Sequence, residues 1–500
     1  MRAEASLIRD SNCRRRHSRA RDATVVVARR ARRERARRAA KGVRSPGARA
    51  TRTTRSSDAR ARARVADSKV STSRCLSELT TTRAQNDTYA PRFREFVAAA
   101  DARVGLTPFF SPDTSADASA SLVREARESV DVFAPAVESW SGCGATKSGC
   151  AGCAPDRVRA NEAFVLFREL LNAAHRGVRV RLLTNRFDSV RECAGAVSVL
   201  SYFAENFDVR TYTSTTFMHA KAMIVDNNVT AISSVNWSKS SYLENREAGV
   251  VARSKSVAEF AGEVFEYDWS VAEVWRMPAN DGISEDEIQR MKSSEWLEPF
   301  PIPSRNISAP HYSPKKLRET WCKGAAVKVS VSPDAGAATM LEAMNASATL
   351  DIYTYQITDD FFASRLLKLA DAGVIVRIVL SRAIFSDVDR KLSASLVDKM
   401  RENEKIVFRS SPRYYRYAHL KIMIVDRGRE GERVVLATGN LSPSDLPLPV
   451  RPFLPLHKGG ASINRDFEIV MHDANIVEQF QNLFDGDMAY TSPYRRPSKF

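Results

Sequence analysis

His219-Ala-Lys221-Ala-Met-Ile-Val-Asp226 and His419-Leu-Lys421-Ile-Met-Ile-Val-Asp426 are two copies of one pattern, H-x-K-x-x-x-x-D. The chain has 500 residues but only seven histidines, and two of them open this pattern. The Met-Ile-Val run that follows is apolar and β-prone, so each copy reads as a buried strand. On a strand, residues two apart share a face, which sets an imidazole beside an ammonium group. Asp226 and Asp426 fall at the turn before the next strand.

The surroundings repeat as well. Segments starting at Thr107 and Val329 each read strand, Ser-Pro-Asp, helix, strand. The second strands of the two are expected at 130–133 and 350–353. Ser-Pro-Asp favours a turn into a helix, with Asp113 and Asp334 available as caps. A second pair of segments has apolar residues at helical spacing, then Gly177 or Gly373 as a C-cap, then strands at 178–183 and 374–380. Strands alternating with helices imply an α/β fold with mixed sheets, and two such units imply an internal duplication. The expected organisation is a first lobe over 91–276, a linker over 277–324 rich in proline, and a second lobe over 325–492. A Pro-rich stretch, PSDLPLPVRPFLPLHKGG, interrupts the second lobe.

The net charge of +17 is a property of the N-terminal region. Residues 1–74 hold 24 of the chain's 76 Lys+Arg and 6 of its 59 Asp+Glu, which leaves 52 basic and 53 acidic residues in 75–500. Residues 1–90, rich in Arg, Ala and Ser, cannot bury enough apolar surface to fold alone. Their composition resembles an organelle transit peptide, which would send the protein to a chloroplast or mitochondrion; the alternatives are a basic arm or a wrongly assigned start codon, with a cytoplasmic or secretory-pathway location. No apolar run is long enough to cross a membrane. Seven cysteines do not suggest a disulfide framework. Cys143, Cys150 and Cys153, with Cys193, leave disulfide, free thiols and zinc open.

After each H-x-K motif comes a small polar patch. The first reads Ser233-Ser234-Val235-Asn236-Trp237-Ser238, then Asn245-Arg246-Glu247; the second reads Ala437-Thr438-Gly439-Asn440-Leu441-Ser442, then Asn464-Arg465-Asp466-Phe467-Glu468. With these elements the sequence resembles the phospholipase D superfamily over roughly residues 107–471. The resemblance implies two pseudo-symmetric α/β lobes with the active site at their interface. It implies that His219, Lys221, Asp226, His419, Lys421 and Asp426 form the signature, with His219 attacking phosphorus and His419 protonating the leaving alcohol. Lys221, Lys421, Asn236 and Asn440 would bind phosphate oxygens, beside Ser234 and Thr438. Glu247 and Asp466 would orient the histidines, with Glu468 a second candidate for the latter place. Asp226 and Asp426 would hold the motif in position.

The expected reaction is hydrolysis or transphosphatidylation of a glycerophospholipid through a phosphohistidine. A nuclease using the same residues and a non-catalytic phosphate-binding protein are the rivals. The near-neutral charge of 75–500 favours lipid, since nucleases use a basic groove. The expected partners are a phospholipid substrate and a membrane surface, with the protein acting as a monomer because both motifs lie in one chain. The motif set calls for no cofactor or metal, so activity is expected to survive chelator. Two imidazoles in different protonation states predict a bell-shaped pH–rate profile, which a rate titration would check.

Overall fold

The computed structural model describes residues 88–135, 145–146, 149–150, 165–185, 205–274, 307, 313, 315–448, 454–455 and 463–499. The basic N-terminal region, most of the 277–324 segment, Cys143, Cys153, Cys193 and much of the Pro-rich stretch lie outside them.

The first lobe is built from β1 (Arg103–Ser111), β2 (Ser129–Phe133), β3 (Arg179–Thr184), β4 (Phe207–Thr211), β5 (Ala222–Val225), β6 (Val229–Ser233) and β7 (Glu247–Arg253). The second has β8 (Val327–Ser332), β9 (Thr349–Thr354), β10 (Ile375–Leu380), β11 (Ile406–Ser410), β12 (Lys421–Val425), β13 (Arg433–Ala437) and β14 (Asn464–Met471). In space the first sheet runs β4-β3-β2-β5-β6-β7-β1 and the second β11-β10-β9-β12-β13-β14-β8, the same order displaced by seven. In each, the ladders among the first three strands of that order are parallel and the rest antiparallel. The duplication inferred from the sequence is therefore a duplication of topology.

Local sequence accounts for the elements. Helix α1 (Ser115–Glu125) follows β1, and α2 (Val165–His175) leads into β3. Helix α3 (Lys255–Val271) closes the first lobe. The second lobe has α4 (Gly336–Ala343), α5 (Asp360–Asp371), α6 (Asp387–Met400) and α7 (Ala474–Met488). The turns from α2 into β3 and from α5 into β10 need a residue at positive φ; Gly177 and Gly373 supply it, at +92° and +105°.

The Ser-Pro-Asp caps are not made. Thr114 and Ala335 occupy the N-cap positions without a side-chain cap. Asp113 and Asp334 are drawn instead to Arg246 and Arg465, since a buried guanidinium needs a carboxylate more than a helix end does. Segment boundaries also cross the lobes. Thr320–Lys323, in the stretch read as linker, is an edge strand of the first sheet against β1, and Phe96–Val97 pairs with β8 of the second.

Apolar side chains form three layers. One core lies on the outer side of the first sheet and another on the outer side of the second. The third lies between the sheets and takes residues from both lobes, with Phe110 against Phe480 and Phe133 against Phe467 at ring separations of 5.3 and 5.5 Å. Two buried arginines cross this layer. Arg246 of the first lobe reaches Asp487 on α7 at 2.8 and 3.0 Å, while holding Asp113 at 3.0 Å and contacting the Tyr415 hydroxyl. Arg465 of the second lobe reaches Asp268 on α3 at 2.9 and 3.2 Å, Asp334 at 2.7 Å and the Tyr89 hydroxyl at 2.9 Å.

Removing either guanidinium strands two buried carboxylates. Arg246→Met and Arg465→Met are each expected to destabilise the fold by about 3–5 kcal/mol in denaturant titrations. Arg416→Ala, which breaks the half-exposed inter-lobe pair with Glu244 at 3.1 Å, is expected to cost less than about 1 kcal/mol.

Candidate active site

The two histidines stand just before β5 and β12, not within them, and their peptides are hydrogen-bonded across the lobes. His219 N–H donates to Arg465 O at 2.9 Å, and His419 N–H to Arg246 O at 2.8 Å. Phe217–Met218 runs parallel to Asn464–Arg465. Asn185 at the end of β3 pins the Met218 peptide from both sides, and Ser381 Oγ accepts from Ala418 N–H at the matching place. The motif of each lobe is thus laid against the N-R-acid segment of the other.

That crossing sets the side-chain partners. His419 Nδ1 lies 2.9 and 3.1 Å from the two oxygens of Glu247, a first-lobe residue. His219 Nδ1 lies 3.1 Å from Asp466 of the second lobe. The hydroxyls of Ser234 and Thr438 each donate to one of these carboxylates, both at 2.6 Å, so they hold the acids in place and are not turned toward a phosphate. Asn245 adds a 3.1 Å hydrogen bond to Glu247. Glu468 is not the histidine's partner; it accepts from Ser330 and Ser332 at 3.0 and 2.8 Å, and burial pushes its carboxyl up to about 8.

Lys421 Nζ sits 3.0 Å from His419 Nε2 and 2.5 Å from its carbonyl. Lys221 contacts the His219 carbonyl and, at 3.3 Å, the Thr438 carbonyl across the seam. Burial pushes Lys221 down to about 8 and Lys421 to about 7, against the pull of Glu247, Asp445 and Asp466. Groups of both lobes act on both lysines, so the two motifs form one charged centre.

Asp226 and Asp426 lie outside that centre. Each sits at positive φ in the turn after the motif strand and accepts the N–H groups opening β2 or β9, from Arg127, Glu128 and Ser129 or from Ser347, Ala348 and Thr349. Their hydrogen bonds align strands. Asn236 and Asn440 follow β6 and β13 at matching positions, and Asn440 donates through N–H and Nδ2 to Asp445 at 2.7 and 2.9 Å. Trp237 is buried in the first lobe's outer core.

Asp445 was not singled out from the sequence. It lies in the Pro-rich stretch, 3.4 Å from His219 Nδ1, and Asn464 donates to it at 2.5 Å. A matching element in the first lobe gave no hint of it, because Ser241 stands there. His219, Asp445 and Asp466 bring donor atoms within 4.8 Å of one another, the one such group among the described residues. Asp445 already accepts three hydrogen bonds and Lys221 acts on both carboxylates, so the group suits an imidazolium better than an ion.

A family model described as "Cardiolipin synthase, PLD-like domain" matches residues 160–269 and 340–488, just over half of the chain. The chain belongs to the phospholipase D-like family. The phospholipase D-like fold is seen again in phosphatidylserine synthase from Haemophilus influenzae Rd KW20, 14% identical, which covers 84% of this chain and 92% of its own at a TM-score of 0.50. Two smaller structures align with part of this phospholipase D-like chain. Nuc from Salmonella typhimurium is 20% identical over 35% of this chain and 99% of its own, at a TM-score of 0.27; NucT from Helicobacter pylori is 16% identical over 34% and 99%, at 0.26. No curated protein matches significantly.

Glu247→Gln is expected to lower kcat on a phosphodiester by about 100-fold or more, because it removes the charge that orients His419. Asp226→Asn is expected to lower the melting temperature while kcat per folded molecule holds. Thermal unfolding paired with active-site-normalised rates separates the two.

Proposed function

We propose that this protein is a phospholipase D-type phosphodiesterase that hydrolyses or transphosphatidylates glycerophospholipids through a covalent phosphohistidine. The observation that carries this reading is the crossed arrangement: two imidazoles, each with Nδ1 within 3.1 Å of a buried carboxylate of the opposite lobe, and two lysines in the same centre. A carboxylate on Nδ1 leaves Nε2 to act on substrate. Phosphodiesters are anionic, and the ammonium groups stabilise charge that builds on the nonbridging oxygens. One imidazole bonds to phosphorus as the leaving alkoxide takes a proton from the other; that second ring then accepts a proton from water or an alcohol, which displaces the histidine.

A lipid substrate is supported by the rim as well as by the charge balance of 75–500. Tyr355 packs edge-on against His419 at 4.9 Å, and its hydroxyl accepts from the Phe385 N–H at 2.7 Å. From there Phe385, Val388 and Leu392, spaced along one face of the α6 region, are exposed at 72%, 73% and 40%. An apolar face beginning beside the catalytic ring suits a bilayer surface. One feature favours nucleic acid: half-buried Tyr417, 6.0 Å from Tyr355 and with Arg416 over its ring, offers a face for a base to stack on.

The full chain should be incubated with labelled phosphatidylcholine, cardiolipin and single-stranded DNA, with and without a primary alcohol. The expected result is phosphatidic acid, or phosphatidylalcohol when alcohol is present. Cleaved DNA with untouched lipid would replace this reading by the nuclease one. Phe385→Glu is expected to weaken sedimentation with phospholipid vesicles while the rate on a soluble short-chain diester stays at the parental value.

A further inference from the structure

The two halves of the centre are not equivalent. Five residues after Asn236 the first lobe has Ser241; five after Asn440 the second has Asp445. A second exchange accompanies this one. Where the first lobe has buried Val235, the second has Gly439, and a Cβ there would come within 2.7 Å of Asp466 and 2.8 Å of Asp445. The small residue makes room for the extra carboxylate, so Asp445 is fitted into the site and is not a loop residue that happens to lie near it. Because the lobes exchange partners, this addition falls on the first-lobe histidine alone.

We propose that Asp445 makes the two histidines unequal: together with Asp466 it holds His219 as the imidazolium that protonates the leaving oxygen, and it leaves His419 as the neutral nucleophile. This rests on the phosphodiesterase reading above and reverses the roles that family resemblance implies for the two rings. His219 Nδ1 faces two carboxylates, Asp466 at 3.1 Å and Asp445 at 3.4 Å, and the close contacts of Lys221 are with backbone carbonyls. His419 faces one carboxylate, Glu247, while the Lys421 ammonium lies 3.0 Å from its Nε2. Tyr355, packed against the ring on that side, has its hydroxyl pushed up to about 12 by burial and adds no charge. The balance of charge around His219 thus favours a proton, and around His419 it does not.

The titration directions agree with the geometry. Burial and Lys221 press His219 down, but Asp466 and Asp445 outweigh them and leave it above the ordinary imidazole range. Burial dominates at His419, and with Lys421 and Lys221 it overcomes Glu247 and takes the ring down to about 4. Of the two acids on His219, burial and its neighbour push Asp466 up, whereas His219 and the hydrogen bonds from Asn464 and Asn440 overcome burial at Asp445 and hold it well below the carboxylate range. Asp445 is therefore the firm anion of the pair. Neutral His419 has its proton on Nδ1 toward Glu247 and its lone pair on Nε2, which the Lys421 ammonium faces at 3.0 Å; when a diester is bound the ammonium turns to a nonbridging oxygen and the lone pair goes to phosphorus. Bonding of Nε2 to phosphorus breaks the bond to the leaving oxygen, which takes the Nε2 proton of His219. Neutral His219 then takes a proton from water as the oxygen attacks phosphorus and the phosphorus–nitrogen bond breaks.

Asp445 acts through His219 and is a positioning residue, so its test is a titration of that ring. Lys221 and Lys421 also give up protons near neutrality, so the ring is followed through its own NMR signals, assigned with His219→Gln, and not through a rate profile. Asp445→Asn is expected to move the His219 midpoint about one pH unit toward acid, since losing an anion makes the imidazolium easier to deprotonate, and Asp445→Glu to restore it. The His419 midpoint stays in place. An unmoved His219 midpoint would reduce Asp445 to a structural part and overturn the proposal. Single-turnover trapping with bis(p-nitrophenyl) phosphate gives the second readout, because nitrophenolate leaves without a proton. His219→Gln is expected to release one equivalent of nitrophenol per site with phosphoryl held on His419, and His419→Gln to release none. Phosphoryl found on His219, in wild type or variant, would overturn the division of roles and leave the phosphodiesterase reading standing. Absence of turnover by the wild type on every diester would overturn both.

Discussion

Everything in this molecule depends on an exchange of strand ends between its two halves. The segment Asn245-Arg246-Glu247, at the start of β7, lies against the His419 motif, and Asn464-Arg465-Asp466, which opens β14, lies against that of His219. Within each triplet the arginine locks the opposite lobe through a buried aspartate and the acid orients the opposite histidine. The groups that assemble the molecule and those that organise its centre are therefore neighbours in sequence. Neither lobe could hold its histidine alone, because the carboxylate that orients each ring belongs to the other half.

The cost of this arrangement is electrostatic. Two guanidinium groups, two ammonium groups, two imidazoles and several carboxylates are removed from water in a small volume, where an unpaired charge would be strongly unfavourable. Each is paired, and the pairing differs in kind. The arginines sit in bidentate contacts that admit no change of protonation. The lysines and histidines sit where burial competes with neighbouring acids: burial takes Lys221 to about 8, Lys421 to about 7 and His419 to about 4, while Asp466 and Asp445 keep His219 above its ordinary range.

Much of this was legible from the sequence, and the parts that were not have a common cause. The H-x-K pattern, the repeated strand-helix order and the glycines at 177 and 373 are local signals, set by residues within a few positions of one another. The crossed pairing is not local: Glu247 and His419 are 172 residues apart, and Arg246 and Asp487 are 241 apart. Asp113 and Asp334 looked like helix caps because a cap is all that short-range reasoning can offer a turn aspartate. Asp445 left no trace because a lone acid in a Pro-rich stretch has no pattern to belong to. Comparing the two lobes position by position, with Val235 and Ser241 set against Gly439 and Asp445, is what exposes it.

That comparison has a consequence for how such a centre can change over time. If two identical chains met on a twofold axis, any replacement would appear on both sides at once, and the paired rings would remain twins in every environment. Joining the halves in one polypeptide removes that restriction. One lobe can accept a new anion, and shed a side chain to make space for it, while its counterpart keeps a hydroxyl. Covalent linkage thus gives each ring an inheritance of its own, and specialisation of the pair becomes open to single substitutions.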